Sequence, residues 1–278
     1  MAESAPQTQY RQEIIASFEE GMSWLRQTTV TEAIIKGLSA VFLVAGSGGA
    51  AAVTRGLNGL IPARADDMTQ NTCTLVEWHD LVRKTRFNIF QSQGNQRKLM
   101  QDTTRKVLNR RLDADIIAQL DTATGNLGGA TTASLALVTR AQVKLGNAEV
   151  PVEEEDKMWG VVTPAFMGYL EAIPEFSSAD YVETKPMTGP PRRVKRWKGI
   201  NWIKHPNLTG VGTTAEKCYI YHQDAIGSAF DSGEGLNTAI GYDEEQDYSF
   251  ARASSFTAAK LLQQSGIVQI VHDGSALA

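Results

Sequence analysis

One spacing in this chain matches a cofactor site. Gly46-Ser47-Gly48-Gly49-Ala50-Ala51 follows the apolar run Val41 to Ala45 and fits the GxGxxA dinucleotide pattern, with Asp66 and Asp67 about twenty residues on. The chemistry would be a tight turn that aims backbone N–H groups at a pyrophosphate where a helix begins. The surroundings argue otherwise. The segment that would have to be that helix, AAVTRGLNGL, is interrupted by Gly56 and Gly59, and the two aspartates lie in the polar run ARADDMTQNT. A glycine-rich turn inside an extended loop is the expectation, with a nucleotide-binding enzyme as the alternative.

The remaining reactive side chains are scattered. His79, His205, His222 and His272 have no partner at metal-ligand spacing, there is no CxxC, and no nucleophile elbow is present. No catalytic residue, metal or cofactor is therefore expected, and each histidine reads as a surface or interface side chain. Asp243, Glu244, Glu245 and Asp247 lack the order of a calcium loop and read as a solvated turn. Cys73 and Cys218 are far apart and read as reduced thiols. The basic run is the stronger surface. Lys185, Arg192, Arg193, Lys195, Arg196, Lys198 and Lys204 surround Trp197 and Trp202 with no acid among them. Such a stretch can bind phosphates and stack on bases. Yet Val194, Ile200 and Trp202 share one parity, as on a strand with one buried face, so subunit contact is the preferred reading over nucleic acid.

These groups need a scaffold, and the longest periodic stretch supplies it. Leu108, Leu112, Ile116 and Leu120 recur every four residues, and no proline or glycine interrupts Asn95 to Thr124. That predicts one helix of about seven turns. Lys98 and Arg105 fall on the same line as the stripe. So long a helix suggests a strut, and hence a building block rather than a catalyst. At 278 residues with 42% hydrophobic and 21% charged content, the chain can bury a substantial core. Its net charge of -4 gives no global affinity for nucleic acid, the N-terminus lacks the order of a signal peptide, and no membrane span is expected.

Along the chain, residues 9 to 26 carry Ile14, Ile15, Phe18, Met22 and Leu25 at helical spacing, to pack on a neighbour or on their own domain. VFLVA, LIPA, CTLVEW and TRFNIF read as short strands of a protruding excursion with little apolar surface at its tip. Thr132 to Leu145 reads as a helix capped by Gly146, WGVVT as a buried strand, and Thr163-Pro164 as a helix start. A β-rich stretch follows, then a helical turn or two in SSFTAAKLLQ, then the strand GIVQIVHD.

This order resembles the major capsid proteins of tailed bacteriophages, the Hong Kong-type (Johnson) fold that encapsulins and herpesvirus capsid floors share. WGVVTPAFMGYLEAIPEFSSADYV looks like that family's passage into its axial domain. WKGINWIKHPNL resembles the strand after a turn there, and ARASSFTAAKLLQQSGIVQIVHD is similar to its closing segment. The phrases look closest to podovirus-like members. The resemblance implies an α+β fold with an N-terminal arm (1–37), an extended β loop (38–94), a spine helix (95–127), an axial domain (128–252) and a closing segment (253–278). It further implies a non-enzymatic shell protein assembled in the host bacterial cytoplasm. Its hexamers and pentamers would form an icosahedral virion head, with loops and arms overlapping adjacent subunits. Partners would be other copies, a separate scaffolding protein, a portal, a decoration protein in some shells, and packaged double-stranded DNA held non-specifically. An encapsulin-like compartment is the related alternative. On this reading Arg64, Asp66 and Asp67 near the loop tip, with Arg83, Lys84 and Arg86 at its base, are candidate subunit contacts. So are Arg192, Arg193, Lys195 and Arg196, facing acidic edges such as Glu153 to Asp156 or Asp243 to Asp247.

Overall fold

The computed structural model describes residues 22–34, 37–47, 49–56, 58–61, 63–64, 67–91, 95–177, 193–231 and 236–277. The expected N-terminal helix therefore lies outside the described residues up to Gly21, and Leu25–Thr28 is a single 3-10 turn.

The strut is present as α2, Gln96–Leu120, opened by the Asn95 side chain accepting from the Lys98 amide at 3.1 Å. Its buried positions are Gln96, Met100, Thr104, Leu108, Asp113, Ile116, Ile117 and Leu120. A step of four residues advances about 400° around a helix, so this line drifts about 40° per step. Over six steps the buried side winds most of the way round, and successive parts of α2 meet different neighbours. Lys98 and Arg105 consequently fall off the buried line and are exposed, a correction to the straight stripe expected from sequence.

Among the described residues, two five-stranded sheets and one hairpin make up the β structure. The first sheet is built on β11, Tyr248–Leu261, which was expected to turn helical at SSFTAAKLLQ and instead continues as a 14-residue strand. The local preference of an alanine-rich stretch yields here to pairing along both edges. Thr257 pairs with Val76 of β4 (Val76–Thr85) and with Phe230 of β9 (Ile226–Asp231), so those strands lie on opposite sides. Tyr248 likewise pairs with Thr85 and with Asp243 of β10 (Asn237–Asp243), which puts β10 end to end with β9. The N-terminal β1, Val30–Ile34, adds in parallel to β9. The 252/253 boundary implied by the resemblance thus falls inside one strand.

The second sheet runs β12-β8-β5-β7-β6. Its strands are Ile267–His272, Glu216–His222, Met158–Val162, Ile200–Lys204 and Val194–Trp197. Alternate residues feed two cores. Met158, Val162, Cys218, Ile220, Val268, Ile270 and Trp202 pack under α3 (Leu135–Asn147) and α4 (Pro164–Glu171). Val161, Tyr219, Tyr221 and Ile267 pack on Ile116, Ile117 and Leu120 of α2. Covered on both faces, β7 is buried from Ile200 to Ile203, not one-sided as its parity suggested. A two-residue turn at Lys198 and Gly199, both at positive φ, folds β6 back so that Val194 pairs with Ile203. Val194 therefore shares a face with Ile203 and not with Ile200 or Trp202. Ser134 and Thr163 cap α3 and α4 through their hydroxyls, the latter with Pro164 in the first turn as read from sequence.

The hairpin, β2 (Ser39–Gly46) against β3 (Asp67–Thr74), stands apart from both sheets in its pairing. Ala40, Phe42 and Cys73 seat its base on Ala229 and Ala258. A Cβ at Gly227 would come within 2.8 Å of the Phe42 ring, so only glycine admits this seating without displacement. LIPA forms no strand among its described residues, and TRFNIF ends β4 at Thr85 and becomes the short helix α1, Arg86–Gln91.

Candidate assembly surfaces

The glycine run cannot cradle a pyrophosphate in this setting. Gly46 ends β2 opposite Asp67 in an antiparallel ladder, and the described residues among 49–56 form no helix. The described residues of this region supply neither the parallel strand nor the helix N-terminus that the dinucleotide pattern requires. No cluster of three metal-ligating side chains occurs among the described residues, and none of their helices is long and apolar enough to cross a membrane. Both cysteines are free and buried; burial pushes the Cys73 thiol up and raises that of Cys218 to about 12.

The hairpin does carry a surface. Beyond its seated base, Val41, Leu43 and Met68 are exposed along the strands, and Leu60 and Ile61 at the tip are 74% and 66% exposed. The sequence reading expected little apolar surface there; the difference lies in two consecutive aliphatics whose side chains stay mostly exposed among the described residues. Arg64 and Asp67 are exposed beside them, and Asp66 lies outside the described residues. The charged rim and apolar tip together form the kind of patch that another protein covers.

At the end of β4 away from the hairpin, Arg83, Lys84 and Arg86 gather where that strand meets the β10–β11 turn. Arg83 lies over the Tyr248 ring at 4.9 Å, Lys84 donates to Gln96 Oε1 at 2.6 Å, and the Arg86 amide donates to the Asp247 carbonyl at 3.3 Å. Next to them α1 exposes Phe87 and Phe90, the latter at 86%. Three described members of the basic run, Arg193, Lys195 and Arg196, have partners at home. Arg193 covers Trp24 at 4.4 Å, Lys195 pairs with Glu171, and Arg196 pairs with Asp156 and, at 3.7 Å, with Glu155. The acids at 155 and 156, expected to meet a neighbour's charges, thus meet Arg196 of the same chain, because the connector before β5 runs beside β6. Lys185 and Arg192 lie outside the described residues.

Sequence reasoning missed the buried polar groups. Asp113, a charged residue in the spine helix, is 2% exposed. It accepts from Ser23 Oγ at 2.6 Å, from the amides of Trp24 and Leu25 at 3.2 Å, and faces His205 Nε2 at 3.1 Å. The Asn207 amide donates to His205 Nδ1, so the ring proton sits on Nε2 and points at the carboxylate. This one aspartate pins the arm, the spine and the end of β7 together. A second node joins His272 Nδ1 to Glu216 Oε2 at 2.8 Å, with Thr163 Oγ1 and the Gly212 amide donating to the same carboxylate. His205, His222 and His272 are buried, against the surface placement expected of them; only His79 is exposed. The available signal was their setting within apolar strands, which favours burial with a partner over solvent.

The second node gives a pH prediction. Burial alone would push the Glu216 carboxyl up, but hydrogen bonds from Thr163, His272 and Gly212 outweigh it and hold the group below the usual carboxylate range. Asp121 is depressed in the same way, by Thr209, Tyr219 and Lys217 working against burial. A depressed folded-state pKa adds stability that is complete above the unfolded value, about 4.3 for glutamate, and is lost as pH falls through the folded value. Thermal melts should therefore show the wild type losing stability faster than Glu216→Gln below that pH, the two curves converging. Parallel curves would remove Glu216 from the account.

The sequence matches a family described as phage capsid protein over residues 2–273. No curated protein matches. Among solved structures, one from Mycobacterium phage Che8 is 14% identical with a TM-score of 0.75, covering 97% of this chain and 98% of that one. The capsid of Ralstonia phage GP4 is 12% identical with a TM-score of 0.73, covering 98% and 97%. The mature capsid of bacteriophage PhiM1 is 10% identical with a TM-score of 0.70, covering 96% and 92%. At these identities the likeness is one of fold, and that fold is the Hong Kong-type capsid fold. Matched in sequence from residue 2 to 273 and in architecture along nearly all its length, the chain belongs to the phage capsid protein family.

Proposed function

We propose that this major capsid protein closes into an icosahedral head of hexamers and pentamers, each β2–β3 hairpin lying over an adjacent subunit. The observation that carries this reading is the apolar hairpin, with Val41, Leu43, Leu60, Ile61 and Met68 exposed on a chain of the capsid family. Covering such side chains contributes about 25 cal/mol per Å² of apolar area before ordering costs, so each contact is modest and repetition stabilises the shell. Arg64, Asp66 and Asp67 at the tip and Arg83, Lys84 and Arg86 at the end of β4 away from the hairpin would set the register between copies. Arg192, Arg193, Lys195 and Arg196 would add a second contact at the edge of the other sheet. A scaffolding protein would guide assembly in the host cytoplasm, a portal would occupy one vertex and a decoration protein the outer surface. Double-stranded DNA inside would be held non-specifically, since a chain of net charge -4 offers it little general attraction.

The charged part of this proposal has its own test. Reversing both tip acids, Asp66→Lys with Asp67→Lys, should prevent closed shells on sedimentation while the circular-dichroism spectrum stays that of the wild type. Shells of normal yield would take the tip acids out of the interface.

A further inference from the structure

The side of α2 turned away from its buried line is basic and unpaired. Lys98, Arg105, Lys106 and Arg110 fall within a sector of about 140° when placed at 3.6 residues per turn, with Asp102 as the one acid among them. Lys98 and Arg105 are exposed, Lys106 and Arg110 half-buried. None of the four takes an ion pair among the described residues; the pair on this helix is Arg111 with Asp115. Half-buried Leu99 lies inside the sector, and half-buried Val107 about 60° beyond its edge.

An acidic partner would complement this face, and the chain brings a suitable segment to its border. The arm reaches Asp113 through Ser23, Trp24 and Leu25, one helical turn from Arg110. Met22 there is exposed. The preceding residues 10–21, YRQEIIASFEEG, hold Glu13, Glu19 and Glu20 against a single Arg11, around the apolar residues Ile14, Ile15 and Phe18. At helical rise these twelve residues extend about 18 Å, as does the rise from Lys98 to Arg110. Charge, apolar content and length all correspond.

We propose that residues 10–21 dock along the basic sector of α2 in the same subunit, their acids opposite Lys98, Arg105, Lys106 and Arg110. The covalent link favours this occupant over a free polyanion. A segment tethered a few residues from its site is presented at an effective concentration in the millimolar range, roughly, before any other ligand competes. The inference does not depend on the hairpin contacts, because it concerns the subunit alone.

Hydrogen exchange of the full-length subunit, read on peptides covering residues 10–21, tests it. Protection of about tenfold or more over the free peptide is expected, unchanged on dilution. Lys98→Glu with Arg105→Glu and Arg110→Glu should abolish that protection. Adding Glu13→Lys, Glu19→Lys and Glu20→Lys should restore it. The arm substitutions alone leave every described residue unchanged and should also abolish it, which covers the case in which the α2 variant fails to fold. Exchange at the free-peptide rate in the wild type would overturn the proposal, and so would protection that disappears on dilution, which would assign the face to another copy's arm. A short DNA duplex that binds the wild type and not the α2 variant, while protection of the arm is the same in both, would overturn it in favour of nucleic acid.

Discussion

Replacing Asp113 with alanine is expected to destabilise the subunit by about 3–5 kcal/mol, the scale for removing one member of a buried charged cluster. The carboxylate serves Ser23 Oγ, two backbone amides and the His205 ring, and each buried donor left without an acceptor costs about 1–3 kcal/mol. Asparagine should recover only part of the loss. Its oxygen can serve Ser23 Oγ and the Leu25 amide, but its NH₂ would then face the Trp24 amide and the Nε2 proton that the Asn207 amide fixes on His205. Urea unfolding followed by tryptophan fluorescence checks both variants. The half-buried Trp24 should also become more solvent-exposed in Asp113→Ala before global unfolding, since its amide loses its acceptor. A loss below about 1 kcal/mol, the range of ordinary surface substitutions, would mean that Asp113 does not anchor the arm.

The second large effect belongs to the hairpin tip. Leu60→Asp with Ile61→Asp should leave the melting temperature of the isolated subunit near that of the wild type, because both side chains are mostly exposed. The same pair should abolish closed shells. Burying a carboxylate where a neighbour expects an aliphatic side chain costs several kcal/mol per site, and the site recurs at every subunit. Assembly is therefore far more sensitive than folding to this change. A variant that lost stability in the isolated subunit would instead place Leu60 and Ile61 in that subunit's own packing.

The order of elements was legible in the sequence because it rests on long periodic segments. The unbroken run from Asn95 to Thr124 gave α2, Thr163-Pro164 gave the start of α4, and GIVQIVHD gave β12. Where the reading departed from the structure, tertiary partners had overridden local preference. SSFTAAKLLQ is a good helical sequence that β4 and β9 hold extended. The four-residue stripe on α2 looked straight on paper, but its drift around the helix sends Gln96 to Leu108 one way and Ile116 to Leu120 another. The turn at Lys198 and Gly199 reassigned the faces of the basic strand, and with them the partners of Lys195 and Arg196. Asp113 and His205 were out of reach for a different reason. They are 92 residues apart, and no local pattern marks an aspartate that will be buried against a distant histidine. The exposed aliphatics of the hairpin were visible as letters, yet only the fold shows that they stay exposed among the described residues.

The central claim is that this chain closes into shells through its hairpin. Negative-stain electron microscopy of the protein co-expressed with the genes flanking its own tests it most directly, beside the Leu60→Asp, Ile61→Asp variant. Uniform closed particles tens of nanometres across, roughly the scale of many 30 kDa subunits packed in a single layer, are expected for the wild type, with dispersed subunits or capsomers for the variant. Small discrete particles from the wild type, or intact shells from the variant, would contradict the account.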